Sequence, residues 1–282
     1  TNQSALIPII IMNINQTNHI SHWQLLNPIW YGQQFKGWTR LSYTLLGVGL
    51  LIIAYTSFAM GAVITSMTFA TFFAAAFGWI TVLGLKEAKP MNGLFGLLSA
   101  AIYIYVAWLH RNPADAMLQL TYVILLDIPV LIMPGWVKNT NQHVRFIHET
   151  DIRGEKHGKV FWYTMLTVVA IIAFVAAYLF ETKILHTPRP ISDSLVLGTG
   201  LIGAVLTTFR FSESWFAWLL QGIMQIILWG LTVAAGGALG ASAIVILVTY
   251  LMYFANDILA LLQSSWFHHK DITAQLAKNS VK

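Results

Sequence analysis

Cysteine is absent from this chain of 282 residues, and only 10% of its side chains are charged. The lack of cysteine excludes disulfides, thiol catalysis and thiolate-ligated metal. Because soluble domains carry about 25% charged residues, the chain has too little charge to cover a water-facing surface. It also lacks histidine and carboxylate sets at ligand spacing within its apolar runs, and a basic stripe interleaved with aromatic residues. We therefore expect no bound metal, no cofactor, no enzymatic activity and no nucleic-acid partner.

Hydrophobic residues make up 57% of the sequence, and most of them fall into eight runs. A membrane-spanning helix needs roughly 17–25 predominantly apolar residues, and most of the runs meet this length. The pattern predicts an all-α integral membrane protein with eight transmembrane helices. The runs cover approximately residues 41–64, 65–85, 94–109, 116–136, 160–180, 192–209, 214–235 and 241–263.

The cationic side chains are sorted between alternate gaps in the eight runs. The N-terminal segment, the gaps after the second, fourth and sixth runs, and the C-terminal tail hold 13 of the 16 Lys and Arg residues. The other side holds only Arg111, Lys183 and Arg189. Because cytoplasmic loops carry an excess of Lys and Arg, the pattern predicts that both termini are cytoplasmic. The cationic loops would also contact anionic lipid.

Two segments of the chain resemble each other. Lys89-Pro-Met-Asn92 precedes the third run, and Arg210-Phe-Ser-Glu213 precedes the seventh, 121 residues later. Further along, Asp127 and Trp136 recur as Asp257 and Trp266 after 130 residues. Three helices and one linker helix bring a second unit into the membrane in the same orientation as the first. The pattern predicts a parallel 3+1+3 repeat, an arrangement found in small-solute transporters with a site between the repeats.

The polar residues Asn92 and Glu213 are expected to cap the helices that follow them. The repeat also predicts the organisation of the whole chain. In order, the predicted segments are a cytoplasmic N-terminal segment (1–40), an extra transmembrane helix (41–64), a first three-helix repeat (65–136), a loop and linker helix (137–191), a second repeat (192–266) and a cytoplasmic tail (267–282).

The seventh run carries three tryptophans and two glutamines on or beside one helical stripe. Positions 215, 218, 222, 225 and 229 follow 3, 4, 3, 4 spacing, which places them on one face of a helix. Trp215 and Trp229 lie near the helix ends, where indoles also serve as interface anchors. Trp218 lies deeper and shares its face with Gln221 and Gln225, which are costly in lipid. Indole faces stack on flat rings, so this stripe predicts a site for a substrate with an aromatic ring and hydroxyl groups.

Other polar residues occur within the fourth and eighth runs. They are Gln119, Tyr122 and Asp127 in the fourth run, and Tyr253, Asn256 and Asp257 in the eighth. Carboxylates within a membrane are candidates for a functional site, and three hypotheses stay open for the two aspartates. They bind substrate, hold the repeats together as polar contacts, or carry protons. Asp127 lies two residues before Pro129, and a proline within a span leaves backbone groups that need other hydrogen-bond partners. This position adds weight to the structural hypothesis.

Three motifs resemble those of the PnuC family of vitamin transporters, over approximately residues 65–266. The residues that carry the resemblance are Lys89, Asn92 and Gly96 of a Lys-x-x-Asn-x-x-x-Gly pattern, Glu213, Trp215 and Trp218 of a Glu-x-Trp-x-x-Trp pattern, and Gln119, Gly135 and Trp136 of the third helix.

This resemblance implies a bacterial inner-membrane facilitator of nicotinamide riboside. It further implies a fold similar to that of the SWEET sugar transporters with inverted topology, a homotrimer, and stacking of Trp215 and Trp218 on the base. Transport in the family is not coupled to an ion, and a cytoplasmic kinase traps the nucleoside.

The sequence departs from the family pattern at three positions. Gly222 stands where the family commonly has Asn, Gln225 stands where it has Ser, and the Asn expected close before Trp266 is replaced by Asn256, ten residues earlier. Substrate identity is therefore open between nicotinamide riboside and a deoxynucleoside, thiamine or riboflavin. Outside transport, a membrane enzyme with an Asp127–Asp257 dyad and a non-transporting receptor are the alternatives.

Overall fold

The computed structural model describes residues 25–60, 63–137, 144–152, 154–187, 189–236 and 240–267. Of these, the residues up to Lys36 form one unit and those from Gly37 onward form a second. In the first unit, the Asn27 side chain accepts a hydrogen bond from the backbone of Ile29 and caps helix α1 (Pro28–Gln34). Most of the predicted N-terminal segment and tail, including His268 and His269, lies outside the described residues.

Among the described residues, eight helices of the second unit are long and apolar enough to cross a membrane, which confirms the predicted all-α membrane protein with eight spans. With the short helix α6, they are α2 (Arg40–Phe58), α3 (Ser66–Lys86), α4 (Met91–Leu109), α5 (Pro113–Ile132), α6 (Pro134–Val137), α7 (Lys159–Leu185), α8 (Pro190–Thr208), α9 (Ser214–Ala234) and α10 (Gly240–Gln263).

Local sequence signals explain where several of these helices begin. Thr39 caps α2 by accepting a hydrogen bond from the Ser42 N–H at 3.2 Å, and Thr65 and Thr68 form a capping box at the start of α3. Pro113 begins α5 at the first helical position, where a missing N–H costs nothing. The fourth span therefore begins three residues before the apolar run, and this brings Asp115 inside it.

Helix α5 is not a regular α-helix along its whole length. Residues Val123–Asp127 form a π-helical segment just before Pro129. Proline has no N–H for the carbonyl four residues earlier, which here belongs to Leu125. The Thr208 hydroxyl of α8 donates to this carbonyl at 2.5 Å, so the freed acceptor is satisfied by another helix and not by Asp127.

The helices pack as two sets of three. Within each set consecutive helices are neighbours: α3 packs on α4 and α4 on α5, and α8 packs on α9 and α9 on α10. The first helix of each set packs against the third helix of the other, α3 against α10 and α8 against α5. Helix α2 packs on α3 and α10, and α7 packs on α8.

Matching contacts join the two sets. The Trp136 indole, after α5, donates to the Thr208 carbonyl at the end of α8, and the Trp266 indole, after α10, donates to the Leu85 carbonyl near the end of α3, both at 3.0 Å. We propose that these reciprocal bonds are equivalent contacts of two parallel repeats, 65–136 and 192–266, with α2 as the extra helix.

Close approaches at two glycines repeat this reciprocity. A Cβ at Gly78 of α3 would collide with the Tyr253 hydroxyl of α10, and a Cβ at Gly200 of α8 would lie 2.6 Å from the Tyr122 hydroxyl of α5. Glycine is therefore required at both places for the tyrosines to enter between the helices.

The connection between α5 and α7 folds onto the start of α9. Its segment Ile147–Glu149 is a 3₁₀ turn, and strands β1 (Asp151–Ile152) and β2 (Glu155–Lys156) form a small antiparallel hairpin with Asp151 opposite Lys156. The backbone N–H of Ile147 donates to both carboxylate oxygens of Glu213 at 3.1 and 2.9 Å.

Glu213 holds the N-cap position of α9, as expected, but the expectation that the Asn92 and Glu213 side chains cap the following helices was wrong. The Glu213 side chain makes no capping bond to α9, because its carboxylate is occupied by the connecting segment. Pro90 holds the cap position of α4, and the Asn92 side chain donates to the Lys89 carbonyl at 2.7 Å.

Candidate functional site

A cavity lies between the two sets of three helices, flanked by two apolar clusters. One cluster surrounds Tyr103 and Trp229, and the other surrounds Trp136, Trp215 and Trp266. Five of the helices, α3, α4, α5, α9 and α10, contribute its walls. The lining residues include Ser99, Tyr103, Gln119, Tyr122, Asp127, Trp215, Trp218, Gln221, Thr249, Tyr250, Tyr253 and Asp257.

Trp218 is the indole best placed to stack on a ring in the cavity. It is partly exposed, whereas Trp215 is only 1% exposed. The Trp218 indole N–H donates to the Thr207 hydroxyl at 2.8 Å, and its ring meets that of Tyr122 edge-on at a centroid distance of 5.5 Å. These contacts hold the orientation of the indole plane before a ligand arrives.

Tyrosines form a second aromatic wall on α4 and α10. Tyr250 meets both Tyr103 and Tyr253 edge-on, with centroid distances of 6.3 and 5.4 Å. Tyr253 is stacked on Trp79 of α3 at 6.2 Å, with the rings 3° apart. Aromatic pairs of this kind stabilise the packing by more than their buried area alone accounts for.

Eight of the ten side chains predicted as substrate-binding line the cavity: Trp215, Trp218, Gln221, Gln119, Tyr122, Asp127, Tyr253 and Asp257. Gln225 and Asn256 are not among the lining residues. Gln225 is fully buried and donates to an Asp115 carboxylate oxygen at 2.6 Å. Asn256 is 1% exposed, and neither polar atom of its side chain has a hydrogen-bond partner within the described residues.

Asp115 was missed by the sequence reasoning, because it precedes the fourth apolar run. Its carboxylate is fully buried and accepts hydrogen bonds from the Tyr103 hydroxyl at 2.8 Å, the Gln225 amide and the Trp229 indole at 2.9 Å. The stripe on α9 therefore divides: Trp215 and Trp218 line the cavity, whereas Gln225 and Trp229 bind Asp115. Pro113 is the signal that could have placed Asp115 within a helix.

Polar contacts also join the helix ends beyond Asp115. Arg189, at the start of α8, donates to the Asn112 side-chain oxygen at 2.7 Å, and the Asn112 amide donates to the Thr232 hydroxyl of α9 at 3.1 Å. His110 pairs with Ser242 of α10 at 2.9 Å, and burial lowers the pKa of its imidazole. These contacts hold α5, α8, α9 and α10 together at this end of the bundle.

The cavity has a volume of about 120 Å³, below the ~300–1,000 Å³ of typical ligand pockets. A larger groove of about 600 Å³ lies on the outside, between α7, α8 and α9. That groove is lined mainly by apolar side chains, and the side-chain oxygens of its polar residues are already hydrogen-bonded within the protein: Tyr163, Thr167, Ser194, Thr199 and Glu213. It therefore offers fewer convergent polar groups to a small molecule than the inner cavity does. The inner cavity is therefore the better candidate, in a conformation that must widen for a nucleoside.

Comparison with known proteins identifies the family. The model of the family described as "Nicotinamide mononucleotide transporter" matches residues 68–268. The chain belongs to this family. The match begins inside α3, so α2 lies outside it. With its eight apolar helices, this transporter family member is a multi-pass membrane protein.

Two relatives agree with the family assignment. The curated "Nicotinamide riboside transporter PnuC" of Neisseria mucosa is 24% identical over 232 residues, which cover 81% of this chain and 82% of the relative. The crystal structure of the vitamin B3 transporter PnuC matches with a TM-score of 0.61 at 19% identity, and covers 83% of this chain and 97% of the other. The second likeness shows a shared fold.

Proposed function

We propose that this chain carries nicotinamide riboside, or a closely related nucleoside, across the bacterial inner membrane by facilitated diffusion. The observation that carries the proposal is the cavity between the two helix sets, which combines the Trp218 face with amide and hydroxyl groups. Trp218 and Trp215 would contact the base, and Gln119, Gln221 and Tyr122 would bind the carboxamide and ribose. The name of the Neisseria mucosa relative supports this substrate.

The charges of the cavity favour the riboside over the mononucleotide in the family's name. Among the described residues, no Lys or Arg lines the cavity, whereas two carboxylates do. A phosphate group is normally bound by cationic side chains or helix N-termini, and here it would meet carboxyl groups and no cationic side chain among the described lining residues. We therefore infer that a phosphate is added only after entry, by a cytoplasmic kinase that traps the nucleoside.

The proposed setting of the transporter has both termini in the cytoplasm, contact with membrane lipid and assembly as a homotrimer. The charge sorting of the loops supports the orientation. Only 11% of the most apolar stretch of α7 is buried against the rest of the chain. This exposure supports contact of α7 with lipid or with a further copy.

Counterflow uptake into proteoliposomes is the experiment that tests the function. Vesicles loaded with unlabelled nicotinamide riboside should accumulate the labelled compound transiently, without ATP or an ion gradient. The panel includes the mononucleotide, a deoxynucleoside, thiamine and riboflavin. Exchange of one of these in preference to nicotinamide riboside would replace the proposed substrate, and absence of any exchange would support a receptor or an enzyme.

Energy coupling is tested in the same vesicles. Proton coupling through Asp127 and Asp257 is the alternative mechanism, and we expect uptake to be unaffected by an imposed pH gradient or membrane potential. Accumulation of unmodified substrate above its external concentration, abolished by a protonophore, would contradict facilitated diffusion.

A further inference from the structure

Two carboxylates, Asp127 of α5 and Asp257 of α10, line the cavity. Their exposed fractions are only 2% and 6%. Within the described residues, neither side chain forms a hydrogen bond or a salt bridge. Removing a carboxylate from water is costly unless it is paired, so this arrangement requires an explanation.

Each carboxylate faces a glycine on the neighbouring helix. A Cβ at Gly96 of α4 would collide with the Asp127 carboxylate, so that glycine is required for its position, whereas a Cβ at Gly222 of α9 would lie at an ordinary contact distance of 3.6 Å from Asp257 Oδ2. Both glycines also line the cavity. The same pairing, a glycine on the second helix of a set facing an aspartate on the third, thus occurs in both sets.

A packing role does not account for these two side chains. The carbonyl freed by Pro129 is bonded by Thr208, so Asp127 is not needed there. Asp115 shows what a packing carboxylate looks like in this fold, since it accepts hydrogen bonds from Tyr103, Gln225 and Trp229.

We propose that Asp127 and Asp257 supply the counter-charge for a substrate whose aromatic ring is itself a cation, such as an N-ribosylated pyridinium, and reject neutral rings of the same shape. Ion pairing across a site with little water is strong. The Trp218 face adds a cation–π attraction, and among the described residues no Lys or Arg lines the cavity to compete for the carboxylates. The proposal rests on the proposed function, because it concerns the same cavity.

The test compares nicotinamide riboside with its 1,4-dihydro form, which keeps the ribose and carboxamide but has a neutral ring. Each compound competes for counterflow of labelled nicotinamide riboside in proteoliposomes. The unmodified protein should prefer the cation by at least about tenfold. Asp127→Asn and Asp257→Asn should each weaken the cation about tenfold and the dihydro form less than about twofold.

Glu181→Gln is the matched control, since Glu181 is a fully buried carboxylate that is not among the cavity-lining residues. It should leave the ratio between the two ligands unchanged. Equal weakening of both ligands in the aspartate variants would overturn the proposal, because it would indicate a structural role. Equal inhibition by both compounds in the unmodified protein would overturn it without any variant.

A fragment pair separates failure of this inference from failure of the proposed function. Titration calorimetry on the purified protein compares 1-methylnicotinamide, a cation, with neutral nicotinamide. Tighter binding of the cation in a protein that does not carry nicotinamide riboside would refute the substrate and support the charge selection. Transport of nicotinamide riboside with no preference in either pair would support the substrate and refute the charge selection.

Discussion

At the scale of single residues, the indoles of α9 differ in what they contact. Trp218 is partly exposed to the cavity and held by Thr207 and Tyr122, whereas Trp229 is fully buried and donates to Asp115. The evenly spaced stripe of residues on α9 is thus divided into a part that faces the cavity, with Trp218, and a part that packs inside the protein, with Trp229.

We expect Trp218→Ala to weaken substrate binding by ~1–3 kcal/mol, the range for loss of one aromatic stack on a base. Trp215→Ala should act in the same direction. Equilibrium binding to purified protein measures both, and Trp108→Ala, which removes an indole that is 61% exposed, is the matched control. Unchanged binding in folded Trp215 and Trp218 variants would mean that these indoles serve only as anchors.

Asp115 should matter more for stability than for ligand contact. Asp115→Ala leaves the Tyr103 hydroxyl, the Gln225 amide and the Trp229 indole without their acceptor, and each unpaired buried group costs about 1–3 kcal/mol. We expect a clearly lower unfolding temperature in detergent, with a milder loss for Asp115→Asn. Asp151→Ala, at an exposed position, controls for loss of charge. An unfolding temperature equal to that of the unmodified protein would contradict this assignment.

At the scale of elements, the irregular part of α5 depends on a contact with α8. Thr208 satisfies the Leu125 carbonyl that Pro129 leaves free. Asp127 is the last residue of the π-helical segment and also lines the cavity. The irregular backbone of α5 therefore lies next to the cavity. π-Bulges are frequent at functional sites.

A double-mutant cycle tests this contact. Thr208→Val removes the hydroxyl at nearly constant shape and should destabilise the protein by about 1–3 kcal/mol. In the background of Pro129→Ala, which restores the missing N–H, the same substitution should cost less. Chemical or thermal unfolding measures all four proteins. An equal cost of Thr208→Val in both backgrounds would contradict the link between Thr208 and Pro129.

At the scale of the whole molecule, reciprocal contacts relate the two helix sets. The indoles of Trp136 and Trp266 each bond a carbonyl near the end of the other set's first helix. Tyr122 and Tyr253 likewise approach glycines of the opposite first helix. The contact of α3 with α10 and the contact of α8 with α5 therefore use the same kinds of side chain. The cavity lies between the two sets.

The distribution of charges predicts the orientation of the molecule in the membrane. We expect a fusion after Lys282 to fluoresce with green fluorescent protein and to be inactive with alkaline phosphatase, which needs the periplasm. The 13-to-3 distribution of Lys and Arg is the physical reason. Phosphatase activity at Lys282 without fluorescence would reverse the orientation of all eight helices.

The eight spans could be predicted from the sequence, because a helix in lipid must satisfy its own backbone and be apolar over its whole length. The sequence also contains the motifs that resemble the family, and it predicted eight of the side chains that line the cavity, since polar groups within a span must face protein or water.

Which polar groups meet depended on the tertiary structure. It directs Gln225 to Asp115, and within the described residues it leaves Asp127 and Asp257 unpaired beside the cavity. It also pairs Thr208 with the carbonyl freed by Pro129. Helical periodicity in the sequence predicts which side chains share a face of a helix. It does not predict their partners, because these belong to a helix distant in the chain, as α8 is from α5.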